Sequence, residues 1–235
     1  MHRDDFLALM EEIAPSSLAD EEDRPRIGLV IEGTEEISEV CCALDATPGA
    51  AEEAVSLDAS VLVVHHTPFW NPVHAIRGTD PALLRPLLCA DINLFVMHTN
   101  FDRAPMGVNR TLASMLELRR VEEMRIGVIG DFSLSIGEIP RRLGEPVKVT
   151  GRLDGVQRLA LVGGSGFDPA LIDYAAKEGA DAFLSSELKH HVAIASPIAL
   201  LEASHHALEA PAMRRLAERL GWKYIETAPK TGYIG

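Results

Sequence analysis

The chain is short of thiols, of cations and of long apolar runs. Among its 235 residues are three cysteines, Cys41, Cys42 and Cys89. None stands in a C-x-x-C pair, and Cys41 and Cys42, if on a strand, point to opposite faces. That pattern speaks against a disulfide framework and against a thiolate zinc site, and the expected compartment is the reducing cytoplasm. Lys and Arg number 22 against 35 Asp and Glu, a formal charge of −13. The broad positive field of a nucleic-acid binder is absent. An anionic substrate would need a local cationic patch or a metal. No apolar run approaches the ~20 residues of a membrane span. The opening Met1-His2-Arg3-Asp4-Asp5 is polar and acidic, unlike a signal peptide. Neither a membrane nor a nucleic acid is an expected partner.

What is present is a repeated pattern. The apolar run Val61–Val64 leads into His65-His66, Leu94–Met97 into His98-Thr99-Asn100-Phe101-Asp102, and Ile198–Leu201 into His205-His206 with Glu209 just after. Strands and helices alternate at βα spacing, which predicts an α/β fold with mostly parallel sheets. Amphipathic spacing gives a helix over 3–14, and Thr47 caps a helix over 48–55 with Pro48 at its first position. Asp80 is expected to cap a helix over 81–89. Residues 124–129 read as one strand. A final helix over 207–220 carries Pro211 in its first turn, where a missing N–H costs nothing. We expect two similar α/β units, residues 1–121 and 122–235, with the last strand returning to the first unit.

In open α/β sheets ligands bind beyond the carboxyl ends of the strands. The strand-end motifs, with Gly163-Gly164-Ser165-Gly166 and Ser185-Ser186-Glu187, therefore predict a shared cleft between the two units. Its donors suit two divalent metal ions, Zn, Fe, Mn or Co. His66 and Asp102 are assigned to one ion and His65 and His205 to the other, with Glu209 bridging. His205 and Glu209 share a helix face at i,i+4, although spacing alone does not separate His205 from His206. His2 and His74 read as ordinary packed or surface residues. The glycine loop offers backbone N–H groups to a phosphate or is a plain tight turn. Trp70 stacks on a planar base or walls the pocket.

The segments 63–70, 98–109, 161–166, 185–191 and 204–209, in this order, resemble the GTP cyclohydrolase I type 2 homologues, also called YbgI-like or NGG-interacting-factor-like proteins. The resemblance puts the dinuclear ligands on His65, His66, Asp102, His205 and Glu209, and so selects His205 over His206. It implies two α/β domains and a homo-oligomer, a ring-shaped hexamer around an internal cavity. Two departures stand out. Ser204 replaces the family's glycine, and Pro25-Arg26 stands where the family carries Asp-Asn.

The expected activity is metal-dependent hydrolysis, with His98, Glu187 or His191 as general acid or base. The resemblance makes the small-molecule substrate a purine nucleotide, GTP, attacked at the ring carbon. Arg103, Lys189 and Trp70 are its candidate contacts. The alternatives are phosphoester or peptide hydrolysis at the same centre, or a non-enzymatic metal-handling or adaptor protein.

Overall fold

A computed structural model describes residues 1–231. From the amino end run α1 (Arg3–Ile13), β1 (Gly28–Ile31), β2 (Val40–Asp45), α2 (Pro48–Ser56), β3 (Val61–His66), α3 (Asp80–Cys89), β4 (Asn93–Val96) and α4 (Thr99–Arg103). Next come α5 (Val108–Met115), β5 (Arg119–Glu123), β6 (Val128–Asp131), α6 (Glu138–Leu143), β7 (Lys148–Thr150), β8 (Arg158–Leu161), α7 (Pro169–Lys177), β9 (Ala182–Ser185), α8 (His190–Ala195), β10 (Ala199–Glu202) and α9 (His205–Leu220). The two-residue strand β11 (Lys223–Tyr224) follows. The fold is α/β, with two sheets. Its contacts define two compact units, Met1–Met106 with Met213–Gly235, and Gly107–Ala212. The divisions thus fall at 106/107 and inside α9, rather than at the 121/122 step expected from sequence. Helix α5 and the polar strand β5 belong to the second unit.

In the first unit the sheet order is β1-β4-β3-β2-β11, and all neighbours run parallel except the β1–β4 pair. The inner strands read as unbroken apolar runs because both faces are covered. Cys41, Ala43, Leu62, Val64, Leu94 and Val96 pack with Ala50, Ala51 and Ala54 of α2 and Leu83, Leu84 and Leu87 of α3. Neighbouring positions point the other way; there Phe6 of α1 meets Phe95 edge-on at 5.7 Å between ring centroids. Each fully buried side chain of this size contributes about 1.5–3 kcal/mol. Burial pushes the Cys41 thiol up to about 11 and Cys42 further still, so both are inert core residues. No described helix is long and apolar enough to cross a membrane.

Register delivers the strand ends to one edge. Asp45 lies opposite His66, and Val64 lies opposite Val96. Strand β3 runs on through His65 and His66, so the two histidines end the strand rather than follow it.

The second sheet has the order β5-β6-β8-β9-β10-β7. Its centre, β8-β9-β10, is parallel, and antiparallel strands flank it on both sides. Ala160, Phe183 and Leu200 pack against Leu171, Ile172 and Ala175 of α7.

Three local expectations change. Residues 124–129 are not one strand: Met124 N–H bonds back to Gly127 O at 3.0 Å, closing a turn between β5 and β6. Strand β5 escaped notice because its sequence is polar and mostly exposed. Asp80 is the first helical residue of α3, and Thr79 occupies the cap position without a side-chain bond. Helix α9 starts two residues early because Ser204 caps it, its Oγ accepting from Ala207 N–H at 3.1 Å. Pro211 therefore falls past the first turn, inside the helix, where it forfeits an i→i−4 bond.

Gly127 and Gly144 separate two effects of a left-handed glycine. Both have positive φ, +79° and +77°. A methyl at Gly144 would meet nothing within 4 Å, whereas one at Gly127 would lie 2.2 Å from the Leu161 carbonyl oxygen. Gly144→Ala is expected to cost about 1–2 kcal/mol from backbone strain alone, and Gly127→Ala at least about twice that. Urea unfolding of both variants checks this; equal losses would refute the close approach.

Candidate metal centre

In the first unit three imidazoles gather at the carboxyl edge of the sheet. The ring centroids of His65 and His66 are 4.9 Å apart, and the ring of His98 lies 5.1 Å from His65 and 5.7 Å from His66. One ring nitrogen from each falls within 4.8 Å of the others, a separation at which they can share an ion. His65 Nε2 faces Asp102 Oδ1 at 3.5 Å, longer than the about 2.7–2.9 Å of a charge-assisted hydrogen bond.

Each of these rings is held by its other nitrogen. His65 Nδ1 donates to the Met97 carbonyl at 2.9 Å, His66 Nδ1 to Asp45 Oδ1 at 2.7 Å, and His98 Nδ1 to Asp23 Oδ2 at 2.6 Å. Histidines that bind metals commonly hand the second N–H to a carbonyl or carboxylate, which fixes the tautomer and orients the ring. Asp23 is buried, at 5% exposure, and also accepts from the Thr99 hydroxyl at 2.6 Å. Burial works to raise its carboxyl pKa, but the bonds from His98 and Thr99 outweigh burial and hold it far below the usual carboxylate range.

The second unit holds a smaller cluster. His205 Nε2 lies 2.9 Å from Glu209 Oε2 across one turn of α9, and its Nδ1 donates to Glu187 Oε1 at 2.7 Å. Glu209 is 3% exposed. The glycine loop packs against this pair. Gly164 has φ +69°, and a methyl on it would sit 2.1 Å from Glu209 Oε1 and 3.1 Å from His205 Nε2. The N–H of Gly163 bonds Asn109 Oδ1 at 2.9 Å, and that of Gly166 bonds Ser185 Oγ at 2.8 Å. Those two amides are already engaged, and the turn packs closely against Glu209.

The remaining candidates have mixed placements. Trp70 is 44% exposed, with its ring edge-on 5.1 Å from His98. Arg103 bonds Leu18 O and Asp20 Oδ1, both at 2.8 Å; it ties down a loop, because α4 turns it back toward residues 18–20. Lys189 and His191 are exposed at the start of α8. Glu187 is an orienting group for His205 and takes a left-handed φ of +63°. His2 caps α1, accepting from Asp4 N–H at 3.2 Å.

Sequence reasoning missed three partners. Asp45 ends β2, as His66 ends β3, so the strand-end pattern itself could have found it. Asp23 lies in an acidic loop with no periodicity to mark it. The Met97 carbonyl is backbone and leaves no trace in sequence.

Taken by itself, each unit offers donors that fit a divalent metal: imidazoles oriented through Nδ1 with a carboxylate beside them. The comparisons identify the family. The sequence model of Duf34/NIF3 (NGG1p interacting factor 3) matches residues 1–229. A Salmonella typhimurium protein named GTP cyclohydrolase 1 type 2 homolog is 34% identical over 223 residues, spanning 88% of this chain and 87% of its own. Among solved structures, reduced HcgD from Methanocaldococcus jannaschii superposes with a TM-score of 0.84 at 27% identity, covering 96% of this chain and 97% of that one. The protein ybgI, described as of unknown function, gives 0.87 at 28% identity, covering 98% and 100%. From the fold, the histidine cluster and these matches together, the chain belongs to the DUF34/NIF3 family.

Proposed function

We propose that the chain is a metal-dependent hydrolase in which His65, His66, Asp102, His205 and Glu209 would hold two divalent cations. The observation that carries this reading is the set of Nδ1 hydrogen bonds from His65, His66 and His205 to Met97 O, Asp45 and Glu187. Each leaves Nε2 as the metal-facing donor. The missing Cβ at Gly164 supports it too, since it keeps space around Glu209 and His205. A bound pair of cations supplies a Lewis acid and a water acidic enough to ionise near pH 7.

The chain's own residues do the rest. His98, beside His65 and His66, is the group placed to hold or move a proton. The exposed face of Trp70 suits stacking on a planar base. Lys189 is the candidate cation for an anionic group, since Arg103 is occupied by Asp20. Relatives carry the name GTP cyclohydrolase 1 type 2 homolog, which makes a purine nucleotide the substrate to try first, with formate as the released fragment. The hexameric ring implied by the resemblance belongs to the same proposal.

Metal analysis of the full chain, purified without chelator and offered zinc, manganese or iron, is expected to return about two ions per chain. His65→Ala and Asp102→Ala should each lower that figure and abolish formate release from GTP. A wild-type chain that takes up no metal removes the proposal. Tight, exchangeable metal without turnover favours the metal-handling reading instead.

Two substitutions probe the supports rather than the ligands. Asp45→Ala frees the His66 ring and should weaken metal binding by about 10–100-fold, read by competition with a chromophoric chelator. Gly164→Ala should displace the Glu209 carboxylate and lower metal content while the circular dichroism of the fold persists. Unchanged affinity in both would mean that these contacts do not shape the site.

A further inference from the structure

We infer that Asp23 is a positioning residue that fixes His98 as its Nδ1–H tautomer and presents the Nε2 lone pair toward His65 and His66. The assignment starts from a pair of short contacts. His98 Nδ1 lies 2.6 Å from Asp23 Oδ2, and the Thr99 hydroxyl donates to the same oxygen, also at 2.6 Å. The second carboxylate oxygen, Oδ1, is 3.6 Å from Arg26 Nη1. Asp23 is thus clamped from both sides while its side chain is only 7% exposed. A carboxylate so held accepts and does not donate, and the imidazole nitrogen facing it must carry a proton.

The backbone of His98 is fixed as well. Its N–H bonds Asn100 Oδ1 at 2.9 Å, and Asn100 Nδ2 in turn bonds Ala14 O at 2.7 Å. Thr99 Oγ1 accepts from Asp20 N–H at 3.0 Å, which ties the acidic loop to the amino end of α4. The ring therefore has no freedom to choose its partner. One ring nitrogen of His98 lies within 4.8 Å of a ring nitrogen of His65 and of His66, and with Nδ1 engaged by Asp23 the nitrogen left for that cluster is Nε2. The arrangement has the logic of an aspartate that orients a catalytic imidazole and selects its tautomer without becoming protonated.

The loop that carries Asp23 is the one where this chain departs from the Asp-Asn pattern, at Pro25-Arg26. Arg26 sits over the Trp70 ring at 5.7 Å and beside Asp23. Asp23, two residues before that departure, is the buried acid that reaches the histidine cluster from this side. Asp23 does not depend on bound metal for its own contacts. The tautomer stands independently of the hydrolase reading, whereas the consequence for turnover rests on that reading.

The test is solid-state NMR of the full chain, zinc-loaded and labelled with ¹⁵N-histidine, the His98 signals being assigned by their loss in His98→Gln. The expected spectrum has His98 protonated at Nδ1 and bare at Nε2. Asp23→Asn, which keeps the shape and can donate to Nδ1, should move the proton to Nε2. Thr99→Val, which removes one clamp and leaves the carboxylate, should keep it on Nδ1. A wild-type His98 that is protonated at Nε2, or whose state ignores Asp23→Asn, overturns the inference. The second readout is kinetic, with GTP as the probe. Asp23→Asn should lower kcat by about 10²–10⁴-fold with KM and zinc content unchanged. A parallel loss of zinc would mean that Asp23 acts through the metal ligands and would overturn the positioning role. If wild type turns over no GTP, the hydrolase reading falls and the NMR result alone decides the tautomer.

Discussion

The orientation of four imidazoles rests on what their Nδ1 atoms touch. An unrestrained histidine at a strand end samples several rotamers and two tautomers, and binding a metal would have to freeze them. Here the freezing is done by folding. His65 is held by a backbone carbonyl just past β4, His66 by the last residue of β2, His98 by a buried aspartate in the loop before β1, and His205 by Glu187 after β9. Each anchor is one strand or loop away from the histidine it holds. Strand register is therefore the quantity on which the site depends. A slip of one residue between β2 and β3 would move His66 away from Asp45 and exchange the faces on which His65 and His66 stand.

The same register also supplies the stability, and it does so with different residues. The strands of the first sheet are apolar from Val61 to Val64 and from Leu94 to Val96, fully buried on both faces. The polar donors begin only where those runs stop. This separation matters because a buried carboxylate or imidazole without compensation costs several kcal/mol. His65, at 0% exposure, is tolerable because Met97 O takes its N–H and because its other nitrogen faces a carboxylate. Asp23 is tolerable because two hydrogen bonds and a guanidinium surround it. Core and site share an edge without sharing residues, so the donors can be tuned while the sheet stays intact.

How much of this the sequence disclosed follows from the range of each interaction. Helix α2 was legible to its cap, since Thr47 bonds Ala50 N–H three residues on. The strand ends were legible because an apolar run followed by histidine is a local pattern. Strand β5 was not, because an exposed edge strand of Arg and Glu has no apolar alternation to reveal it. Neither was the start of α9, where Ser204 could have been read either as a lost glycine or as a cap. Asp23 was out of reach for a deeper reason. It lies 75 positions from His98, and nothing in an acidic loop distinguishes the carboxylate that will be buried from those that stay in water.

The glycine loop shows where local reading stops. Gly163-Gly164-Ser165-Gly166 after a strand is the same signal whether the close approach is by a phosphate or by a side chain, because glycine reports only that something comes near. In this chain the approach comes from within the second unit. Val108 crowds Gly163, Glu209 and His205 crowd Gly164, and Val162 and Ser185 crowd Gly166. The amides a phosphate would use at Gly163 and Gly166 are spent on Asn109 and Ser185. What the loop shows is a close approach: it is thin where the Glu209 carboxylate stands, because a side chain at Gly164 would meet both Glu209 and His205.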